Sequence, residues 1–352
     1  MKKLIALLIS VVVLAVLSVN VLLAQETPAE DRTGWPENFI VGVYPGDNIE
    51  EALANVEPLR IYLEETLGIR VVLITGTSYT AVIEAMRAGR ADAMEVGPFS
   101  YVLAVQEANA EAIAIAKYNN NLTLEDYATQ VDLEEIPGYY SLLFTTKGTG
   151  ITTIEDIAGR SFAFTDPAST SGYLVPATTI MDTMAFDDPT QLEDFANLVF
   201  AGNHPSAVLS VSEGTTDAGA TFDGNLTAQA DEGLIELCGY DLETKAFPYY
   251  DPMTTEEIAA IYDACPEGNV VVFSQSALIV ETPFAIRGDL PQSFKDAVKE
   301  ALLAIKDQPE IAVALKRYYL DPSEAAGVET LDELYNPLRV IAEKLQLDLK
   351  AR

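Results

Sequence analysis

What most constrains this chain is a rhythm. Short apolar runs alternate with helix-patterned segments, the alternation breaks, and then it starts again. Residues 39–43 read as a buried strand and 49–67 as a helix; strands at 71–74 and 91–96 follow, with a helix at 79–88 between them. Gly97-Pro98 breaks the third strand, 100–108 resumes helical spacing, and 112–116 is again strand-like. Apolar runs of strand length separated by helices predict largely parallel sheets with helices on both faces. Residues 139–145 read as a strand crossing to a second unit. There the rhythm restarts, with strands at 161–165, 198–201 and 218–222 and helices at 154–158, 172–184 and 206–213. Strands at 270–273 and 284–286 are expected to return to the first unit. Helices at 292–306, 311–319 and 331–345 would pack outside it, the last kinked or split by Pro337.

A chain that leaves one lobe, builds another and returns makes a hinge of two crossovers. With 352 residues it is longer than a single hydrophobic core usually grows, which suits two lobes. The expected division is an N-terminal segment 1–24, a linker 25–37 and a first lobe opening at 38–137. A second lobe spans 138–270 and contains an insertion at 230–268; residues 271–352 return to the first lobe. Lys2 and Lys3 precede an apolar run over 4–24, and 25–32 turns polar and acidic. That order predicts a secretory signal cleaved after Ala24, although Leu22 departs from the small-residue rule at a cleavage site. The run is also long enough to serve as an uncleaved anchor. With no Cys after the run, a lipoprotein-type attachment is not expected. Either way the folded part is expected outside the cytoplasm, in the periplasm or at the outer face of the cytoplasmic membrane.

Charge narrows the partners. There are 54 acidic against 21 basic residues, a formal net charge of −33. Nucleic acid and anionic membrane surfaces are excluded as partners bound through a general positive field. An anionic small molecule would also be repelled at long range, so any anion site must be built locally from dipoles and hydrogen-bond donors. Cys238 and Cys265 flank one short segment and, in an exported chain, predict a disulfide. His204 is the only histidine. Zinc sites built on several His are therefore excluded, and no metal or other cofactor is expected.

Three stretches could carry chemistry. In Phe164-Thr165-Asp166-Pro167-Ala168-Ser169-Thr170-Ser171-Gly172-Tyr173 a strand ends in a turn, three hydroxyl residues follow, and a helix begins. Hydroxyls, free N–H groups and the positive end of a helix dipole then converge, which suits an oxyanion. An ordinary N-cap would need only one of the three. Gly97-Pro98-Phe99-Ser100-Tyr101 ends another strand, where ligands of open α/β sheets sit. Tyr101 there, and Tyr79 after Gly76-Thr77-Ser78, read either as ligand contacts or as core aromatics. Ala201-Gly202-Asn203-His204-Pro205 repeats the strand-to-helix arrangement, with His204 either a ligand donor or a structural residue.

Together these pieces resemble the phosphate/phosphite/phosphonate substrate-binding proteins of ABC importers. The matching elements run in order from Tyr79 with Val82-Ile83-Glu84-Ala85 and Arg87-Ala88-Gly89-Arg90-Ala91-Asp92. Gly97-Pro98-Phe99-Ser100-Tyr101 comes next, then Asp166-Pro167-Ala168-Ser169-Thr170-Ser171-Gly172-Tyr173 with Pro176. Ala201-Gly202-Asn203-His204 and Asp217-Ala218-Gly219-Ala220 complete the set. The resemblance implies a type II periplasmic binding fold with a small phosphonate-like oxyanion held between its lobes. It implies that Ser169, Thr170 and Ser171 hold the anion, joined by Tyr79, Tyr101 and His204, with Asp223 facing the ligand's substituent. It implies a monomeric, non-enzymatic receptor whose other partner is a membrane permease. Glu95 departs from the family pattern; it is expected near the ligand's non-phosphoryl end, unless it is solvated or paired with an arginine. Two other functions use the same residues. One is a sensory receptor for another small anion. The other is a hydrolase using Ser169 or Ser171, His204 and Asp223, although no G-x-S-x-G elbow surrounds either serine.

Overall fold

The computed structural model describes residues 31–44, 49–133 and 136–347. The expected signal or anchor at 1–24 lies outside them, as does the first half of the expected linker. The chain divides into two units, Met1–Trp35 and Pro36–Arg352. At the described end of the first, Trp35 N donates to Arg32 O, and the Arg32 guanidinium lies 4.6 Å from the Trp35 ring centroid.

The second unit opens with β1 (Asn38–Val43), α1 (Ile49–Leu67), β2 (Arg70–Thr75), α2 (Tyr79–Arg87), β3 (Ala93–Glu95), α3 (Pro98–Ala108) and β4 (Ala110–Tyr118). After β5 (Gly138–Tyr139) come β6 (Ser141–Thr146), β7 (Ser161–Phe164) and a π-helical turn, Thr170–Leu174, that runs into α4 (Val175–Met184). Then follow β8 (Asn197–Phe200), α5 (His204–Ser212), β9 (Ala218–Phe222), α6 (Asp223–Asp231), α7 (Thr255–Ala264) and β10 (Val270–Gln275). The chain ends with β11 (Ile279–Val280), β12 (Pro283–Arg287), α8 (Gln292–Ala304), α9 (Pro309–Leu315), β13 (Arg317–Leu320) and α10 (Asn336–Lys344).

Among the described residues the strands form two large sheets and a ribbon. The first sheet has the order β13-β4-β12-β3-β1-β2, the second β10-β6-β9-β7-β8, and the ribbon is β11-β5. In the first sheet β1 runs parallel to β2 and β3, while β12 and β13 run antiparallel to their neighbours. The C-terminal ends of β1, β2, β3 and β4 and the starts of β12 and β13 therefore share one edge. In the second sheet β7 runs parallel to β8 and β9. Ile279 pairs with Tyr139 and Val280 with Gly138, so the two crossovers between sheets are joined as an antiparallel ribbon. This is the expected two-lobed architecture, with helices on both sides of each sheet, but the sheets are mixed rather than largely parallel, because β12 and β13 in the first and β6 and β10 in the second run antiparallel to their neighbours.

Three local expectations are corrected, and a fourth, the split at Pro337, holds. Val270–Gln275 pairs antiparallel with β6 and belongs to the second sheet, not the first. It covers an edge that β6 would otherwise expose, and the chain returns only afterwards, through β11. The helix expected over 311–319 stops at Leu315. Lys316 takes a left-handed conformation (φ 53°), and Arg317-Tyr318-Tyr319-Leu320 then pairs with β4, where aromatic residues favour a strand. The helix expected at 154–158 is a single 3₁₀ turn, Glu155–Ile157. Pro337 splits 331–345 into a 3₁₀ turn, Leu331–Tyr335, and α10, whose first turn tolerates a proline lacking N–H.

Segment 230–268 carries its own staple. Cys238 and Cys265 are disulfide-bonded, with Cα atoms 5.7 Å apart and a sequence separation of 27. The bond ties the end of α7 to a loop whose Cys238 N donates to Val270 O at the second sheet. Thr254 and Glu257 form a reciprocal capping box that starts α7. Reducing the disulfide should lower unfolding free energy by about 3–4 kcal/mol on the chain-entropy estimate. Urea unfolding with and without reductant measures this; coincident curves would leave the bond without stabilising effect.

Candidate oxyanion site

The site is built where β7 ends. Asp166 Oδ1 accepts from Ala168 N (2.8 Å) and Asp166 O from Ser169 N (2.9 Å), which turns the chain sharply back. Ser169 stays extended (φ −80°, ψ 137°) and caps the π-helical turn, its Oγ accepting from Gly172 N at 3.1 Å. The turn lies directly on the strand end: a Cβ at Gly172 would sit 1.9 Å from Thr165 Oγ1, so only glycine fits. A helical start leaves its leading N–H groups outside the ladder, and here three hydroxyl side chains surround them. Ser169, Thr170 and Ser171 are all buried, 1–3% exposed.

The first lobe closes over this turn. Thr170 Oγ1 accepts from Phe99 N (2.8 Å), and Ser100 Oγ donates to Ala168 O (2.9 Å). Tyr79, at the start of α2, sits against Tyr44 with ring centroids 4.9 Å apart, and its hydroxyl reaches both Tyr44 and Ser169. Tyr139, on the crossover ribbon, reaches the hydroxyls of Thr170 and Ser171. Burial holds the ionisation of both tyrosines well above the ordinary phenol range, so both are neutral donors.

His204 opens α5, whose cap is Asn203 accepting from Ser206 N (2.8 Å). Its Nε2 lies 3.2 Å from Ser169 Oγ and its Nδ1 2.9 Å from Thr221 Oγ1. Burial pushes its pKa down to about 3, so the ring is a neutral imidazole. The donors that converge here are therefore neutral groups from both lobes.

Two carboxylates stand within electrostatic reach of Tyr139 and of each other. Asp223, 5% exposed at the start of α6, accepts from Tyr140 N (3.1 Å) and Gly224 N (2.7 Å). Burial overrides those bonds and raises its pKa to about 7. Glu281, between β11 and β12, accepts from Thr282 N at 2.8 Å. Burial, reinforced by the charges of Asp223 and Glu95, pushes it up to about 8. Among the described residues no cluster of three or more His, Cys, Asp or Glu could hold a metal.

The structure thus brings Ser169, Thr170, Ser171, Tyr79 and His204 together, with Asp223 within electrostatic reach of Tyr139. It does not bring Tyr101. That side chain is 1% exposed, donates to Asp332 Oδ1 (2.6 Å), accepts from Ala112 N (3.3 Å) and packs its ring on Tyr335. One turn into α3, it points into the first lobe's core rather than out of the strand end. Glu95 takes the other course expected of it, paired with an arginine. Its oxygens accept from Tyr118 Oη (2.8 Å) and Tyr319 Oη (2.6 Å), and Arg317 lies 3.5 Å away. The hydrolase constellation is not assembled either: the nitrogen of His204 that a triad would offer Asp223 faces Thr221 instead. Tyr44, Tyr139 and Glu281 were not anticipated. Tyr44 follows directly on β1, so the strand-end rule that singled out Tyr101 would have found it; Tyr139 and Glu281 sit on crossovers, where a sequence reading sees only connectors.

Comparison with known proteins follows the same lines. Residues 41–331 match the family described as ABC transporter, phosphonate, periplasmic substrate-binding protein. The phosphate-import protein PhnD of Mycolicibacterium smegmatis is 32% identical over 202 residues, covering 56% of this chain and 58% of its own length. The phosphonates-binding periplasmic protein of Escherichia coli is 24% identical over 269 residues, 75% of this chain and 65% of its own length. Both alignments therefore span less than two thirds of those relatives. Among solved structures, PhnD1 from Prochlorococcus marinus in complex with methylphosphonate superposes with a TM-score of 0.60 at 16% identity. That match covers 89% of this chain and 99% of the other, and it shows a shared fold.

Proposed function

The chain belongs to the phosphonate family of periplasmic substrate-binding proteins of ABC transporters, and on that premise we propose that it captures a small phosphonate-like oxyanion between its lobes. Members of that family are binding components of transport systems, not enzymes. In this reading the protein is a monomeric, extracytoplasmic receptor without catalysis that delivers its ligand to a membrane permease. One observation carries it. Three consecutive buried hydroxyls at a helix start meet Tyr79, Tyr139 and His204, neutral donors contributed from both lobes and the crossover. Neutral donors suit the charge of the chain, because an anion repelled at long range is held only by short bonds in a buried, low-dielectric place. A thermal-shift series with methylphosphonate, phosphite, phosphate and sulfate tests the reading. A ligand at 100 times its Kd should stabilise the fold by about 2.7 kcal/mol. No shift with any phosphorus oxyanion would overturn it.

Asp223 and Glu281 set what the oxyanion carries. Their raised pKa values mean that the folded state holds protons that the unfolded state has released. The stability they contribute is thus present at low pH and is lost as pH rises through about 7 and 8. An ammonium group on the ligand would favour the ionised forms instead, whereas an uncharged substituent would not. Raising pH from about 6 to about 9 should therefore favour 2-aminoethylphosphonate over methylphosphonate. Taking the ratio of the two affinities in wild type relative to Glu281→Gln removes the ligands' own titration. A ratio flat with pH would place the acidic pair away from the ligand.

A further inference from the structure

His204 is engaged at both ring nitrogens, and a neutral imidazole has one donor and one acceptor. Which is which decides what the seat offers an anion. Thr221 Oγ1, 2.9 Å from Nδ1, is fully buried and also accepts from Asn225 Nδ2 at 3.0 Å. A hydroxyl has a single proton. Asn225 Nδ2 donates to Thr221 Oγ1, and among the described residues Thr221 Oγ1 makes no hydrogen bond other than these two, so its own proton finds its acceptor at His204 Nδ1. Asn225 stands four positions after Thr221, so the junction of β9 and α6 fixes this relay.

We infer that Thr221 and Asn225 are positioning residues for oxyanion binding, holding His204 as the Nε2–H tautomer. The inference rests on the reading that this cleft takes an oxyanion. Nε2–H then donates to Ser169 Oγ at 3.2 Å, alongside Gly172 N at 3.1 Å. With two donors already aimed at its oxygen, Ser169 directs its own proton away from both, to the side of the seat where the Tyr79 hydroxyl meets it. The opposite tautomer would set a lone pair 3.2 Å from Ser169 Oγ, draw that proton back, and present an acceptor to any anion oxygen. Two residues behind the site thus determine whether the seat donates or accepts.

Because His204 is the only histidine, labelling the intact protein with ¹⁵N-histidine gives one imidazole to observe. Long-range ¹H–¹⁵N correlation should show a protonated Nε2 and an unprotonated Nδ1 in the wild type. Thr221→Val keeps the shape and removes the relay. It should populate the Nδ1–H form and weaken methylphosphonate about tenfold, the effect of losing one hydrogen bond to a charged group. Thr221→Ser should restore both. A wild-type Nδ1–H signature overturns the inference without needing any variant. So does a Thr221→Val protein that keeps the Nε2–H signature, whatever its affinity. If the wild type fails to bind methylphosphonate or any other phosphorus oxyanion, the functional reading fails instead, and the tautomer remains measurable.

Discussion

Ser169→Ala and Ser171→Ala should each weaken binding of the preferred phosphonate about 10- to 100-fold, with the fold intact. Hydrogen bonds to a charged group contribute roughly 1.5–3 kcal/mol each, and in a buried seat no solvent replaces a lost one. Of the pair, Ser169 should show the larger loss. Its Oγ also takes Gly172 N and faces His204 Nε2, so its removal disturbs two further donors. Against this, the fold loses only a helix cap, about 1 kcal/mol. The chain has no lysine or arginine between Arg160 and Lys245, so this turn offers no fixed cation to compensate. Calorimetric titration measures the affinities, and urea unfolding checks the fold. Unchanged affinity in both folded variants would move the ligand elsewhere.

Glu95→Ala should destabilise the fold by about 3–5 kcal/mol, as expected when one partner of a buried ion pair is removed. The side chains of Glu95 and Arg317 are only 4% and 8% exposed. Without Glu95, the Arg317 guanidinium keeps its charge beside the rings of Tyr118 and Tyr319 but loses its counter-ion. The two tyrosine hydroxyls that donate to Glu95 would lose their acceptor as well. A double replacement, Glu95→Leu with Arg317→Met, should recover most of the loss, because an apolar pair leaves no charge unpaired. Urea midpoints for the single and double variants decide the matter. A Glu95→Ala protein as stable as wild type, but altered in its preference among phosphonates, would return Glu95 to the ligand.

Glu95 also illustrates where the sequence runs out. A carboxylate at a strand end is visible as such, but Arg317 stands more than two hundred positions away, on a strand that helical periodicity disguised. The same failure hid β13 and misplaced β10, since strand pairing at sheet edges is decided by distant partners rather than local pattern. The seat was legible because one continuous stretch, Ser169-Thr170-Ser171-Gly172, builds most of it and sits at a strand-to-helix junction. His204 was legible for the same reason. Tyr139 and Glu281 come from the crossovers, whose residues gain a role only when the lobes meet. Tyr101 misled because a helix turns side chains through 100° per residue: Ser100 faces the second lobe, while its neighbour faces the core.

The most direct test is calorimetric titration of the wild-type protein, refolded free of any co-purified ligand, with methylphosphonate at low and high salt. Neutral buried donors predict one site per chain and an affinity that does not fall between about 0.05 and 0.5 M salt but rises modestly, because little of the attraction comes from exposed charge while the long-range repulsion from a chain of net charge −33 is screened. Absence of binding, or an affinity that collapses as salt is added, would contradict an oxyanion seat built from Ser169, Thr170, Ser171, Tyr79, Tyr139 and His204.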